Sequence, residues 1–167
     1  ETRAEEGMGS VLKHFPGYGN NPDPHTGVAY DDRPYDTFLT SDFLPFQAGI
    51  AAGADMVLVS HNIVSAMDEA SPASLSPEVH RVLREDLGFT GVIVTDDLVM
   101  DGVRDFAGDD EAAVLAVQAG NDLLCCTDFQ TQVPAVLAAG ESGEITEEQI
   151  ATAVLRVLTM KLRLGIL

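Results

Sequence analysis

The chain has 167 residues, 46% of them hydrophobic, with 15 Gly and 8 Pro, a size and composition that allow one globular core and exclude a disordered or fibrous protein. Its 27 acids against 9 bases leave a formal charge of −18, which opposes nucleic acid and anionic lipid as partners, because both are held by Lys/Arg patches. No stretch approaches the ~18 consecutive apolar residues of a membrane span, and Glu1 to Ser10 lacks the basic start and apolar core of a signal peptide.

Four short apolar runs recur with helical segments between them: Ser10 to Lys13, Met56 to Ser60, Val92 to Thr95 and Asp122 to Cys126. That alternation predicts βα units around a parallel sheet, an α/β fold of the (β/α)8 TIM-barrel type. A full barrel takes about 250 residues, so the expectation is a partial barrel of roughly four βα units forming a single domain over 1–167, with the missing part before Glu1. Such a piece would expose sheet edges and apolar helix faces and is expected to associate with itself.

Each run ends in polar residues: Lys13-His14, Ser60-His61, Asp96-Asp97 and Thr127-Asp128. Catalytic groups of such barrels sit at the C-terminal ends of strands, so these pairs are expected to gather on one face. After the first run comes Asn20 to Phe38, polar, Pro-containing and aperiodic, an active-site loop candidate presenting Asp23 and His25; Ile63 to Leu75 has the same character.

The helices carry legible ends. Ser76-Pro77 supplies a cap and a proline at the first helical position, Val79, Val82, Leu83 and Leu87 keep helical spacing, and Gly88 closes the segment. His80, on this helix, is expected at the surface. A short helix over Asp110 to Ala119 ends at Gly120. Thr146 and Gln149 form a capping box before the stripe Ile150, Val154, Val157, Leu158 and Leu162, which is expected to pack on the barrel wall. The adjacent Cys125 and Cys126 lack the spaced partners of a zinc site and are expected as buried strand thiols, pointing to a reducing compartment such as the cytoplasm; with the native start expected elsewhere, export stays open.

Seven blocks, in order, carry a family resemblance: K-H-F-P-G-x-G at Lys13 to Gly19, D-x-H at Asp23 to His25, P-F-x-A-G-I-x-A-G-A at Pro45 to Ala54, V-S-H at Val59 to His61, P-A-S-L-S at Pro72 to Ser76, the run Leu83 to Met100 around V-I-V-T-D-D, and A-V-Q-A-G-N-D-L-L at Ala116 to Leu124. Together they resemble the N-terminal barrel domain of glycoside hydrolase family 3, in its NagZ-like β-N-acetylhexosaminidase branch. The resemblance implies a retaining exo-glycosidase acting on terminal β-linked N-acetylglucosamine, with a carbohydrate as partner and neither metal nor organic cofactor. It implies Asp96, the first acid after the V-x-V-[ST] strand, as nucleophile, and His25 as acid/base with Asp23 as its partner. Histidine suits that second task because it titrates near neutrality, and a neighbouring carboxylate orients its ring. Lys13 and His14 are implied as ligands of sugar hydroxyls. His61 is either a pocket residue or a satisfied core histidine, Asp97 either a substrate ligand or a brace for its neighbours, and Met100 an apolar wall.

The chain departs from the common form K-H-F-P-G-H-G-D-T by carrying Tyr18 for the second histidine, Asn20-Asn21 for Asp-Thr, and one residue fewer before Asp23. An aspartate and an arginine from the family's early strands cannot be assigned. The alternatives are a β-glucosidase, disfavoured by D-x-H; a glycoside phosphorylase, since a histidine acid/base does not repel an anionic acceptor; and an inert barrel fragment acting as a binding or assembly module.

Overall fold

A computed structural model of the chain describes residues 7–19 and 27–167. Its centre is a sheet of four parallel strands, β1 (Val11–Phe15), β3 (Met56–Val59), β5 (Val92–Asp97) and β6 (Leu123–Cys125), side by side in that order. The four apolar runs of the sequence become these four strands. Two short strands, β2 (Tyr30–Asp31) and β4 (Ile63–Val64), pair in parallel beyond the C-terminal ends of β1 and β3. Both loop candidates therefore contain regular structure, and Ile63 to Leu75 adds a 3₁₀ turn at Ala73–Leu75. Residues 20–26 of the first loop, with Asp23 and His25, lie outside the described residues.

Between the strands run α1 (Phe43–Ala51), α2 (Pro77–Arg81), α3 (Asp101–Arg104) and α4 (Asp109–Ala119), and after β6 come α5 (Phe129–Ser142) and α6 (Glu147–Arg163). A helical turn at Tyr35–Thr37 and a π-helical segment at Phe38–Asp42 lead into α1, and a second π-helical segment, Val82–Asp86, continues α2. The caps are where the sequence puts them: the Ser76 hydroxyl receives the Val79 N–H, Thr146 and Gln149 close a reciprocal capping box, and Gly88 and Gly120 end their segments with φ of 69° and 111°.

Burial alternates along the strands. Val57, Val59, Ile93 and Thr95 are buried, while the intervening Met56, Leu58, Val94 and Asp96 are half-buried. Because strand side chains alternate between faces, one face is covered and the other is more open. The covered face holds the main core, in which Phe15 stacks on Phe43 at 5.6 Å and meets the edge of Phe46 at 5.1 Å, with Val57, Val59, Ile93 and Leu83 packed around them. Full burial of a ring like Phe15 contributes up to ~3 kcal/mol. Leu58, Val94 and Leu123 are register partners and form one row across the more open face.

Three expectations are corrected here. His80 is 3% exposed and not at the surface: α2 is only five residues long, and the ring lies against Gly120 at the end of α4. Its Nδ1–H donates to the Ser76 carbonyl at 2.8 Å, and burial pushes its pKa down. The stripe on α6 does not pack as expected either, since Ile150, Val154, Leu158 and Leu162 are exposed and the helix has no buried residue. Polar anchors seven residues apart hold α6 instead, Arg156 to Asp122 at 2.9 Å and Arg163 to Asp55. Finally, the thiols are free but not buried: Cys125 is exposed on the more open face and Cys126, beyond the strand end, is half-buried.

Asp122 is the hub of that attachment. Its side chain is 1% exposed and accepts from Arg84, Arg156 and the Ile93 N–H. Removing one partner of a buried pair leaves the others uncompensated. Asp122→Asn is therefore expected to lower unfolding free energy by about 3 kcal/mol in urea titration, and a change under ~0.5 kcal/mol would contradict this role.

Candidate active site

Parallel pairing brings the polar ends of β1, β3, β5 and β6 to one edge of the sheet. His14 and Asp96, on strands separated by β3, approach across it: His14 Nε2 lies 3.7 Å from Asp96 Oδ2, with the two side chains 26% and 21% exposed. Both are thus reachable by a ligand. The other oxygen of Asp96, Oδ1, accepts the Asp97 N–H at 2.9 Å, which fixes the plane of the carboxylate and turns Oδ2 toward His14. Lys13, the residue before His14, is exposed, and Tyr18, the departure from the family pattern, packs its ring 5.0 Å from that of His14. The Lys13–His14 and Phe15–Pro16 peptide bonds are cis.

Asp97 points elsewhere. Its carboxylate accepts from the Thr127 hydroxyl and, at 3.3 Å each, from the Thr127 and Val99 N–H groups, so it ties the loop after β6 to the loop after β5. His61 is 0% exposed; Nδ1 is 2.7 Å from Ser74 Oγ and Nε2 is 3.0 Å from the Asp97 carbonyl. Met100 is 8% exposed, and its N–H donates to the same Asp97 carbonyl at 3.1 Å. The structure thus brings His14 and Asp96 together at the accessible edge, with Lys13 exposed on the same strand end and His61, Asp97 and Met100 joined to the end of β5 through the Asp97 carbonyl and side chain. Asp23 and His25 are outside the described residues.

Several contributors were not read from the sequence. Arg33 spans Asp31 and Asp42, bonding Asp31 through Nε and Nη2 and Asp42 through Nη1 and Nη2, and lies over the Phe38 ring at 4.5 Å. The hydrogen bond to Asp31 raises the guanidinium pKa, while partial burial opposes it. This cluster sits under the loop after β1: a Cβ on Gly17 would collide with Asp42, and one on Gly19 with the Arg33 guanidinium. The glycines of P-G-x-G are required by that close approach, and both also hold positive φ, 127° and 53°. Cys125 is the other addition. Its thiol is exposed near both strand-end carboxylates, and its pKa is raised by partial burial and by Asp97 and Asp96.

A cleft of about 440 Å³ lies at the other end of the sheet, lined by Asp55, Gly91, Phe89, Arg156 and Arg163 among others. Its polar groups are spent on the ion pairs that hold α6, so it belongs to helix attachment and not to chemistry. Among the described residues, no group of three or more His, Cys, Asp or Glu is arranged to hold a metal ion, and no helix is long and apolar enough to cross a membrane.

Residues 2–160 match the family model of the glycosyl hydrolase family 3 N-terminal domain. A curated β-hexosaminidase of Stenotrophomonas maltophilia (strain R551-3) is 40% identical over 120 residues, 71% of this chain and 36% of the relative. A solved family 3 β-N-acetylglucosaminidase from Paenibacillus sp. str. FPU-7 superposes with a TM-score of 0.92 at 37% identity, covering 97% of this chain and 32% of that one. The β-glucoside phosphorylase BglX superposes with a TM-score of 0.90 at 27% identity, over 97% of this chain and 31% of that one. The chain therefore spans about a third of the length of these relatives, and its α/β architecture is that of four βα units of their barrel-type fold. On the family model and on these likenesses, the chain belongs to glycosyl hydrolase family 3, within the N-terminal domain of that family.

Proposed function

We propose that this chain is the part of a retaining β-N-acetylhexosaminidase domain that carries the nucleophile, and that it acts on terminal β-linked N-acetylglucosamine. The observation that carries the reading is the Asp96 carboxylate at the end of β5, oriented by a backbone N–H and facing His14 at 3.7 Å. The β-hexosaminidase and β-N-acetylglucosaminidase relatives, at 40% and 37% identity, supply the substrate class.

In this reading Asp96 Oδ2 attacks the anomeric carbon from the face opposite the leaving group, forming an ester bond as the glycosidic C–O bond breaks. His25, paired with Asp23, gives its proton to the departing oxygen. It then takes one from the water that opens the glycosyl ester, so Asp96 is released as a carboxylate and the sugar keeps its configuration. Lys13 and His14 bind sugar hydroxyls, and the approach of His14 to Asp96 lets one side chain orient both the sugar and the nucleophile.

A second reading shares every residue but the acceptor. The likeness to a β-glucoside phosphorylase favours phosphate taking the place of water in the second step. Faster turnover in phosphate than in a neutral buffer, with a sugar phosphate as product, would select it.

The hydrolase reading is tested by product stereochemistry. Proton NMR of an aryl N-acetyl-β-glucosaminide digest is expected to show the β anomer first, and first appearance of the α anomer would rule out a covalent glycosyl intermediate. With Asp96→Ala, turnover is expected to fall to background and added azide to yield the α-glycosyl azide. His14→Ala is expected to reduce kcat/KM about tenfold, the worth of one hydrogen bond, and an unchanged kcat/KM would remove His14 from the site.

A further inference from the structure

Behind the accessible edge runs a chain of buried polar side chains that the proposed chemistry does not use directly. His61, Ser74 and Asn121 are 0%, 0% and 3% exposed and come from the end of β3, the 3₁₀ turn and the residue before Asp122. Asn121 Nδ2 lies 2.7 Å from both the Ser74 and Ala116 carbonyls. Since carbonyl oxygens only accept, the atom facing them must be the amide nitrogen. Ser74 Oγ is 2.7 Å from His61 Nδ1, and His61 Nε2 is 3.0 Å from the Asp97 carbonyl.

The same rule assigns the ring. The Asp97 carbonyl cannot donate, so the hydrogen lies on Nε2; in the neutral ring Nδ1 is then an acceptor and the Ser74 hydroxyl donates to it. Every bond from Asn121 to Asp97 thus has a defined direction. Its far end matters because Asp97 is the residue whose N–H orients Asp96 Oδ1.

We propose that Ser74 and Asn121 are positioning residues for the nucleophile, acting through His61 on the Asp97 peptide and so on the Asp96 carboxylate. The proposal rests on the reading of Asp96 as nucleophile. Asn121 fixes the Ser74 backbone, the Ser74 hydroxyl donates to Nδ1 and so holds the His61 ring with Nε2–H toward the Asp97 carbonyl, and His61 holds the strand end from behind while the Thr127 contacts hold the Asp97 side chain. The elements involved are packed core rather than loop tips, which suits a device that must not move during a reaction.

Two measurements on the full chain decide it. Long-range ¹⁵N–¹H NMR of the imidazoles needs no turnover, and is expected to show His61 as the Nε2–H tautomer, with its Nδ1 resonance moving downfield in Ser74→Ala as the hydrogen bond from the hydroxyl is lost. A Nδ1–H tautomer would overturn the proposal. In kinetics with an aryl N-acetyl-β-glucosaminide, Ser74→Ala is expected to lower kcat about tenfold with KM within about twofold, and Ser74→Thr, which keeps the hydroxyl, to restore kcat. Wild-type kcat in Ser74→Ala would overturn it as well. Absence of turnover in the wild type counts against the nucleophile reading instead, and the tautomer then decides the relay alone.

Discussion

Asp97 uses all of its polar groups to hold the strand end together: its N–H orients Asp96, its carboxylate binds Thr127 across the gap to β6, and its carbonyl receives His61 and Met100. Adjacent acids at a strand end are a liability when both are free, because like charges side by side raise each other's cost of ionisation. Here the two are separated in role by geometry. One carboxylate is committed to backbone and hydroxyl donors, and the other keeps an oxygen turned toward His14 and solvent. The arrangement produces a single oriented carboxylate at an accessible edge, the geometry on which the proposed attack on an anomeric carbon rests.

A second constraint shapes the approach to that edge. The Asp31–Arg33–Asp42 cluster buries the Asp31 carboxylate completely and offsets its desolvation with a forked guanidinium that also lies over Phe38. The loop after β1 lies so close to the cluster that glycine alone fits at positions 17 and 19. The glycine-containing end of the K-H-F-P-G-x-G block is thereby seated against this cluster. The π-helical segment carrying Asp42 belongs to the cluster as well.

Much of the fold was legible in the residues. The strands follow from short apolar runs bounded by polar pairs, and the capping box at Thr146 and the Ser76-Pro77 start follow from local hydrogen-bond chemistry that needs no tertiary context. The meeting of His14 and Asp96 was legible because parallel strands deliver their C-terminal ends to one edge. What depended on neighbours was not. Periodicity marks the apolar face of α6 but not what covers it, and a five-residue helix gives His80 too little periodicity to show which side is buried. The opposite commitments of Asp96 and Asp97 were illegible, since they turn on Thr127 and His61, 30 and 36 residues away in sequence. The Arg33 cluster escaped notice because an arginine among aspartates reads as an ordinary solvated charge.

The central claim is that Asp96 forms a covalent bond to an N-acetylglucosaminyl group. Its most direct test is intact-protein mass after incubation with a 5-fluoro-N-acetylglucosaminyl fluoride, a substrate whose glycosyl ester forms faster than it hydrolyses. The account requires one added fluoro-N-acetylglucosaminyl group on the wild type, located by peptide mapping to Asp96, and none on Asp96→Ala. No adduct on the wild type, or an adduct that survives Asp96→Ala, would contradict it.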